Sequence, residues 1–124
     1  MTPAILNIRR LALRNTDFRR ELITNENCQV VLMSLEPGDD IGEEIHPNED
    51  QLLIIVDGEA EVVLDGKSQK VESGAMVSVP AGTRHNVINV DDEALKLYTI
   101  YAPPETAPGT VHHTRADAFA TETA

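Results

Sequence analysis

Two of the four histidines of this 124-residue chain, His46 and His85, stand at short spacing from other potential ligand side chains. His46 is two residues after Glu44 and five before Gln51, and His85 follows the Pro80-Ala81-Gly82-Thr83 turn. Residues two apart in an extended strand project to one face, so Glu44 and His46 point together. Gln51 opens the next apolar run and returns to that face across a turn. His85 sits on a different hairpin, and a sheet curled into a small barrel brings all four together. Carboxylate and imidazole are routine ligands of divalent transition metals, and the Gln carbonyl oxygen is a weaker, neutral one. The chemistry to expect is metal binding. Taken alone, a histidine in a β-protein is more often a satisfied core residue than a ligand.

The elements that carry these residues read as strands. Cys28 to Leu35 is apolar and β-branched, and Glu36-Pro37-Gly38-Asp39 turns it. Leu52 to Val56 is an apolar run suited to a strand buried on both faces. Ala60, Val62 and Leu64 alternate with Glu61, Val63 and Asp65, and Asp65-Gly66 predicts a hairpin back through Lys67 to Val71. Ala75 to Val79, Arg84 to Val90 and Leu95 to Tyr101 complete the series. Short strands with turn signals every 8 to 12 residues predict an all-β sandwich or small barrel.

The expected organisation is a single domain over residues 1–124: an arm (1–24), a barrel core (about 28–101) and an irregular tail (102–124) with a short helical turn near Arg115. Ten basic residues against 21 acidic ones give a net charge of -11, which argues against nucleic acid and anionic membrane as partners. There is no long apolar run and no leader-like start, and the lone Cys28 forms no internal disulfide; these fit a cytoplasmic protein. Seven acids and no base lie between Glu36 and Asp50, while five Arg crowd residues 1–20. Both stretches read as solvated surface, with pairing between them the alternative.

Two longer patterns hold the candidate ligands. The first is Gly38, five residues, Glu44-Ile45-His46, four residues, Gln51, six residues, Gly58; the second is Gly74, five residues, Pro80-Ala81-Gly82, two residues, His85, three residues, Asn89. They resemble the two motifs of the cupin superfamily, G-x5-H-x-H-x4-E-x6-G and G-x5-P-x-G-x2-H-x3-N. The second matches at every fixed position. In the first, Glu44 replaces a His and Gln51 replaces a Glu, which keeps one negative charge and removes one nitrogen donor. The chain also looks like small bacterial single-domain cupins described as mannose-6-phosphate-isomerase-like. The resemblance implies a double-stranded β-helix (jelly-roll barrel) and a site for a divalent metal (Mn, Fe, Ni or Zn) at Glu44, His46, Gln51 and His85. It also implies a small-molecule ligand and a homodimer in which Phe18 to Thr24 crosses to the partner.

Three functions stay open: a Lewis-acid enzyme of isomerase or lyase type on a small oxygenated molecule, a non-catalytic ligand- or metal-binding module, and an Fe-dependent dioxygenase using Glu44, His46 and His85. Glu44 is the one candidate general base, if it is free of metal. The acidic stretch from Asp39 to Asp50 disfavours phosphorylated substrates. Asn89 is expected to close a backbone hydrogen bond, and Cys28 to be an inert core thiol. His112 and His113 read as an exposed tail; the alternative folds that segment back towards the barrel mouth near Tyr101. Arg84, beside His85 but pointing away from it, meets an anionic ligand only from the rim.

Overall fold

A computed structural model describes residues 2–123, with side chains to residue 120. The order is α1 (Ile8–Arg14), β1 (Arg19–Thr24), β2 (Gln29–Leu35), β3 (Asp50–Asp57), β4 (Glu59–Leu64), β5 (Lys67–Glu72), β6 (Met76–Val79), β7 (His85–Asn89), β8 (Leu95–Ala102), β9 (Val111–His112) and α2 (Arg115–Thr123). A six-stranded sheet β6-β3-β8-β2-β1-β9 faces a three-stranded sheet β5-β4-β7. All described pairings are antiparallel. The expected all-β jelly roll is the observed fold.

Period-two patterning builds the interior. On β8, Leu95, Leu97, Thr99 and Tyr101 point inward, none more than 3% exposed. Their partners in register are Leu35, Met33, Val31 and Gln29 on β2, and on β3 Leu97, Thr99 and Tyr101 meet Ile55, Leu53 and Gln51. Val62 and Val87 close the core from the smaller sheet. Each fully buried aliphatic side chain contributes about 1.5–3 kcal/mol, so this alternation selects which face turns inward. It also leaves a polar row at one end of the sandwich, where Gln29, Tyr101 and Gln51 lie side by side across three strands.

Turn chemistry follows the sequence. Asp65 (φ 49°) and Gly66 (φ 83°) both take positive φ, as a two-residue hairpin loop between β4 and β5 demands. Leu52, Ile54 and Val56, expected to be buried on both faces of the sheet, are half-buried on its outer side.

The chain ends are more structured than expected. Asn7 caps α1 by accepting the Arg10 amide (3.0 Å), and Ala12 is fully buried. The Lys96 ammonium, its pKa lowered by desolvation, donates to the Asn15 carbonyl and to Ser34 Oγ (3.0 Å), which ties the end of α1 to the large sheet. Phe18 to Thr24, expected to reach a partner, is paired within the chain to β2 and β9. The tail is not merely irregular: β9 adds to the large sheet, and α2 buries Ala118 in the core. Cys28 is not a core residue; it is half-buried just before β2, with Asn25 beside it.

Candidate metal centre

Between β2 and β3 the chain runs antiparallel along β7 without forming a continuous strand. Ile41 donates to the Val87 carbonyl (3.0 Å), and Glu44 and His85 exchange both backbone hydrogen bonds (2.9 Å each). Residues paired that way put their side chains on one face of the ladder, so Glu44 and His85 project together. Gly82 donates to the His46 carbonyl (2.9 Å), holding the next inward residue against the Pro80–Thr83 turn. The local sequence explains the exposed turn as well, since Asp50 accepts the Ala81 amide (2.9 Å).

Glu44, His46 and His85 come together: one ligand atom from each lies within 4.8 Å of the others. Ligand atoms on opposite sides of an ion with bonds of about 2.1 Å are about 4.2 Å apart, so modest side-chain adjustment suffices to enclose one. The imidazole rings of His46 and His85 are 5.4 Å apart, and Tyr101 meets His46 edge-on at 5.6 Å. His85 is 1% exposed and donates from Nδ1 to the Thr83 carbonyl (3.0 Å), which leaves its Nε2 with a lone pair. Gln51, 2% exposed, stands next to Tyr101 in the inward row and donates from Nε2 to Thr99 Oγ1 (2.9 Å).

Two potential donor atoms among the inward residues are buried and lack a hydrogen bond: Nε2 of His85 and Oε1 of Gln51. His46 Nε2 lies 2.7 Å from Glu44 Oε2, which is its partner in this structure. A buried polar atom without a partner costs about 1–3 kcal/mol. The convergence of Glu44, His46 and His85 suits a divalent cation, and a donor set of two imidazoles and a carboxylate is chemically fit for one. The Glu44 contact is the main cause that raises the His46 pKa, against the opposing effect of burial. Burial likewise holds the Tyr101 phenol well above its ordinary value, so it keeps its proton through the physiological range.

The rim contains residues that spacing alone does not single out. Arg19, on β1, places Nη2 3.9 Å from Glu44 Oε1, an ion pair between the basic arm and the acidic stretch. Glu105 lies 3.8 Å from His46 Nδ1. Thr99 is detectable in retrospect as the polar member of the inward series Leu95, Leu97, Thr99, Tyr101; Glu105 lies beyond the last motif and gives no local signal.

The remaining candidates divide. Asn89 donates to the Leu35 and Glu93 carbonyls (2.9 Å each) and accepts the Asp91 amide (2.8 Å), the expected structural role. His112 is not in an exposed tail: β9 folds back and pairs it with Arg19. His113 is exposed and bonds Asp17 at 2.6 Å. Arg84 is on the outer surface, bound to Glu43 at 3.0 Å.

The description "Cupin domain" matches residues 31–101. The uncharacterized protein YrkC of Bacillus subtilis is 50% identical over 97% of this chain and 68% of its own length. The crystal structure of BH2720 from Bacillus halodurans is 43% identical, covers 96% of this chain and 95% of its own, and superposes with a TM-score of 0.94. A shorter match, 32% identical over 51% of this chain, reaches 19% of a quercetin 2,3-dioxygenase of Bacillus subtilis. The matched segment contains β2 to β8 with Gln51 and both histidines, and the chain belongs to the cupin family.

Proposed function

We propose that this cupin holds one divalent transition metal on Glu44, His46 and His85, with the Gln51 amide oxygen as fourth donor, and acts on a small oxygenated molecule. The observation that carries this is the convergence of Glu44, His46 and His85, with the buried and unbonded Nε2 of His85 among their ligand atoms. A bound divalent ion supplies Lewis acidity, drawing electron density from a carbonyl or hydroxyl oxygen. The chain's own groups do the rest. Thr83 fixes the His85 tautomer, Tyr101 packs against the His46 ring, and Arg19 balances Glu44. Glu105, more than a third exposed at the Nδ1 side of His46, is available there to accept a proton.

Elemental analysis and thermal shift test the reading. Added Mn(II), Fe(II), Ni(II) or Zn(II) at about a hundred times its Kd stabilises the native state by about 2.7 kcal/mol, roughly 10 °C in a domain of this size. His46→Ala and His85→Ala lose the shift. A purified protein without metal, whose melting temperature none of these ions moves, refutes the metal site.

Two histidines and one carboxylate also form the donor set of non-haem iron oxygenases, and the matched segment of a quercetin 2,3-dioxygenase favours that as the second reading. Oxygen consumption by the Fe(II)-loaded protein with a substrate panel separates it from the first, and absence of any turnover assigns a binding module. The half-buried outer face of β3 and β8 (Leu52, Ile54, Ile100), with exposed Met76 beside it, supports a homodimer, for which sedimentation is the measurement. No described helix is long and apolar enough to cross a membrane.

A further inference from the structure

Gln51 differs from the residue its position usually holds in one physical respect: the two ends of its side chain are not equivalent. A carboxylate presents an oxygen whichever way it turns, whereas an amide presents an oxygen one way and a nitrogen with two hydrogens the other. At a buried position lined with metal donors, that difference decides whether the residue is a ligand or an obstacle. With the oxygen turned to an ion, something must accept from the nitrogen end.

Thr99 is placed to do so. It is fully buried on β8, one inward step from Tyr101, and its Oγ1 lies 2.9 Å from Gln51 Nε2. That is the one hydrogen bond of the Gln51 side chain among the described residues, and it engages the nitrogen end. The oxygen end is left buried and unbonded. We infer that Thr99 is a positioning residue: its hydroxyl accepts the Gln51 amide N–H in the rotation that leaves the amide oxygen free for the ion, and so supports that rotation when the ion is bound. The inference rests on the metal-binding reading above, and adds a residue that makes no contact with the ion. Both neighbours of Thr99 in register, Val31 on β2 and Leu53 on β3, are aliphatic and fully buried. Neither inward neighbour along β8, Leu97 or Tyr101, makes a side-chain hydrogen bond with Gln51 among the described residues. A hydroxyl in that surrounding is costly unless bonded, so the contact with Gln51 also accounts for a polar residue in an aliphatic layer.

Mn(II) affinity measured by calorimetry tests this on the intact chain, in wild type, Thr99→Val, Thr99→Ser, Gln51→Leu and the same Thr99→Val change placed on Gln51→Leu. Valine keeps the shape and removes the acceptor. The expected result is about a tenfold loss of Mn(II) affinity for Thr99→Val, the scale of removing an outer-shell partner, and recovery to near wild type for Thr99→Ser. On Gln51→Leu the valine substitution has little further effect, because the amide that Thr99 supports is gone. A cavity or packing effect would weaken both backgrounds alike, so equal losses overturn the inference, as does wild-type affinity in Thr99→Val. These outcomes are distinct from failure of the metal site itself, in which wild type and His85→Ala both bind no Mn(II); that result overturns both claims.

Discussion

Gln29 is fully buried at the mouth of the barrel and makes four hydrogen bonds. Its Nε2 donates to Thr24 Oγ1 (2.8 Å) and to the Thr106 carbonyl, while its Oε1 accepts the amides of Glu105 (3.1 Å) and Thr106 (2.8 Å). One side chain of β2 thus clips the end of β1 and the segment after β8, and fixes the backbone that presents Glu105 to His46. Replacing Gln29 with Leu keeps most of the volume and removes all four bonds. At about 0.5–1.5 kcal/mol each, the direct loss is about 2–6 kcal/mol. Two effects bring the cost to the low end. Glu105 is exposed and Thr106 half-buried, so their freed backbone groups can reach water, and a buried leucine regains about 1 kcal/mol of apolar transfer. The expected destabilisation is about 2 kcal/mol by urea unfolding, with Gln29→Ala about 1–2 kcal/mol worse because it also opens a cavity. Hydrogen exchange localises the effect: the Glu105 and Thr106 amides lose protection in Gln29→Leu while β3 amides keep theirs. A cost under about 0.5 kcal/mol with unchanged exchange at those two amides would falsify the clip, since no buried amide with four partners is lost so cheaply.

Two further outcomes follow from contacts at the chain ends. A Cβ on Gly42 would lie 2.8 Å from the Phe119 ring, which Arg115 covers at 4.2 Å while bonding Asp40 at 2.7 Å. Gly42→Ala should cost about 2–3 kcal/mol, whereas Gly38→Ala, with similar positive φ and open space around it, should cost about 1 kcal/mol; equal costs would remove α2 as the cause. The Asp17 carboxyl is held below its ordinary 3.8 chiefly by the His113 hydrogen bond, against the opposing effect of burial, with Arg20 adding a lesser lowering. A depressed carboxyl stabilises the fold above its unfolded pKa and loses that contribution as pH falls through the folded value. Asp17→Asn should therefore cost about 1 kcal/mol at neutral pH and progressively less below pH about 3.8, with a pH-independent difference in melting temperature as the contrary result.

The strands and the convergence of Glu44, His46 and His85 were legible because both rest on local rules. Period-two alternation marks Ala60 and Val62 on β4 and Val77 and Val79 on β6 as inward, and all four are buried, while the turn residues at Asp65-Gly66 and Pro80–Thr83 set where the strands stop. Glu44, His46 and His85 lie inside that frame, so their convergence needed only that the sheets face one another. The ends were not legible for the opposite reason. α1 has seven residues, too few for periodicity to stand out, and β9 has two, whose pairing with β1 spans most of the chain. Cys28 was misjudged because an apolar run does not reveal at which residue it becomes buried. Glu105 and Gln29 meet across 76 positions, and nothing in either local sequence announces the other.

The exchange of ligand types between positions 44 and 51 has a structural logic beyond conserving charge. Position 51 is on β3 in the inward row, 2% exposed, while the side chain at position 44 is 23% exposed on an irregular segment beside Arg19. An ionised carboxylate loses far more solvation on burial than an amide does, and the loss is recovered only while a cation is present. Placing the amide in the buried position and the carboxylate at the rim therefore lowers the cost of the metal-free state, in which Glu44 retains water, Arg19 and the raised-pKa His46 as company. The price is directionality. A carboxylate presents oxygen in any rotation, whereas a buried amide presents its N–H at one end, and here the Thr99 hydroxyl on β8 accepts it. Neutral Gln51, hydroxylic Thr99 and rim-exposed Glu44 together leave no uncompensated carboxylate buried in the inward row.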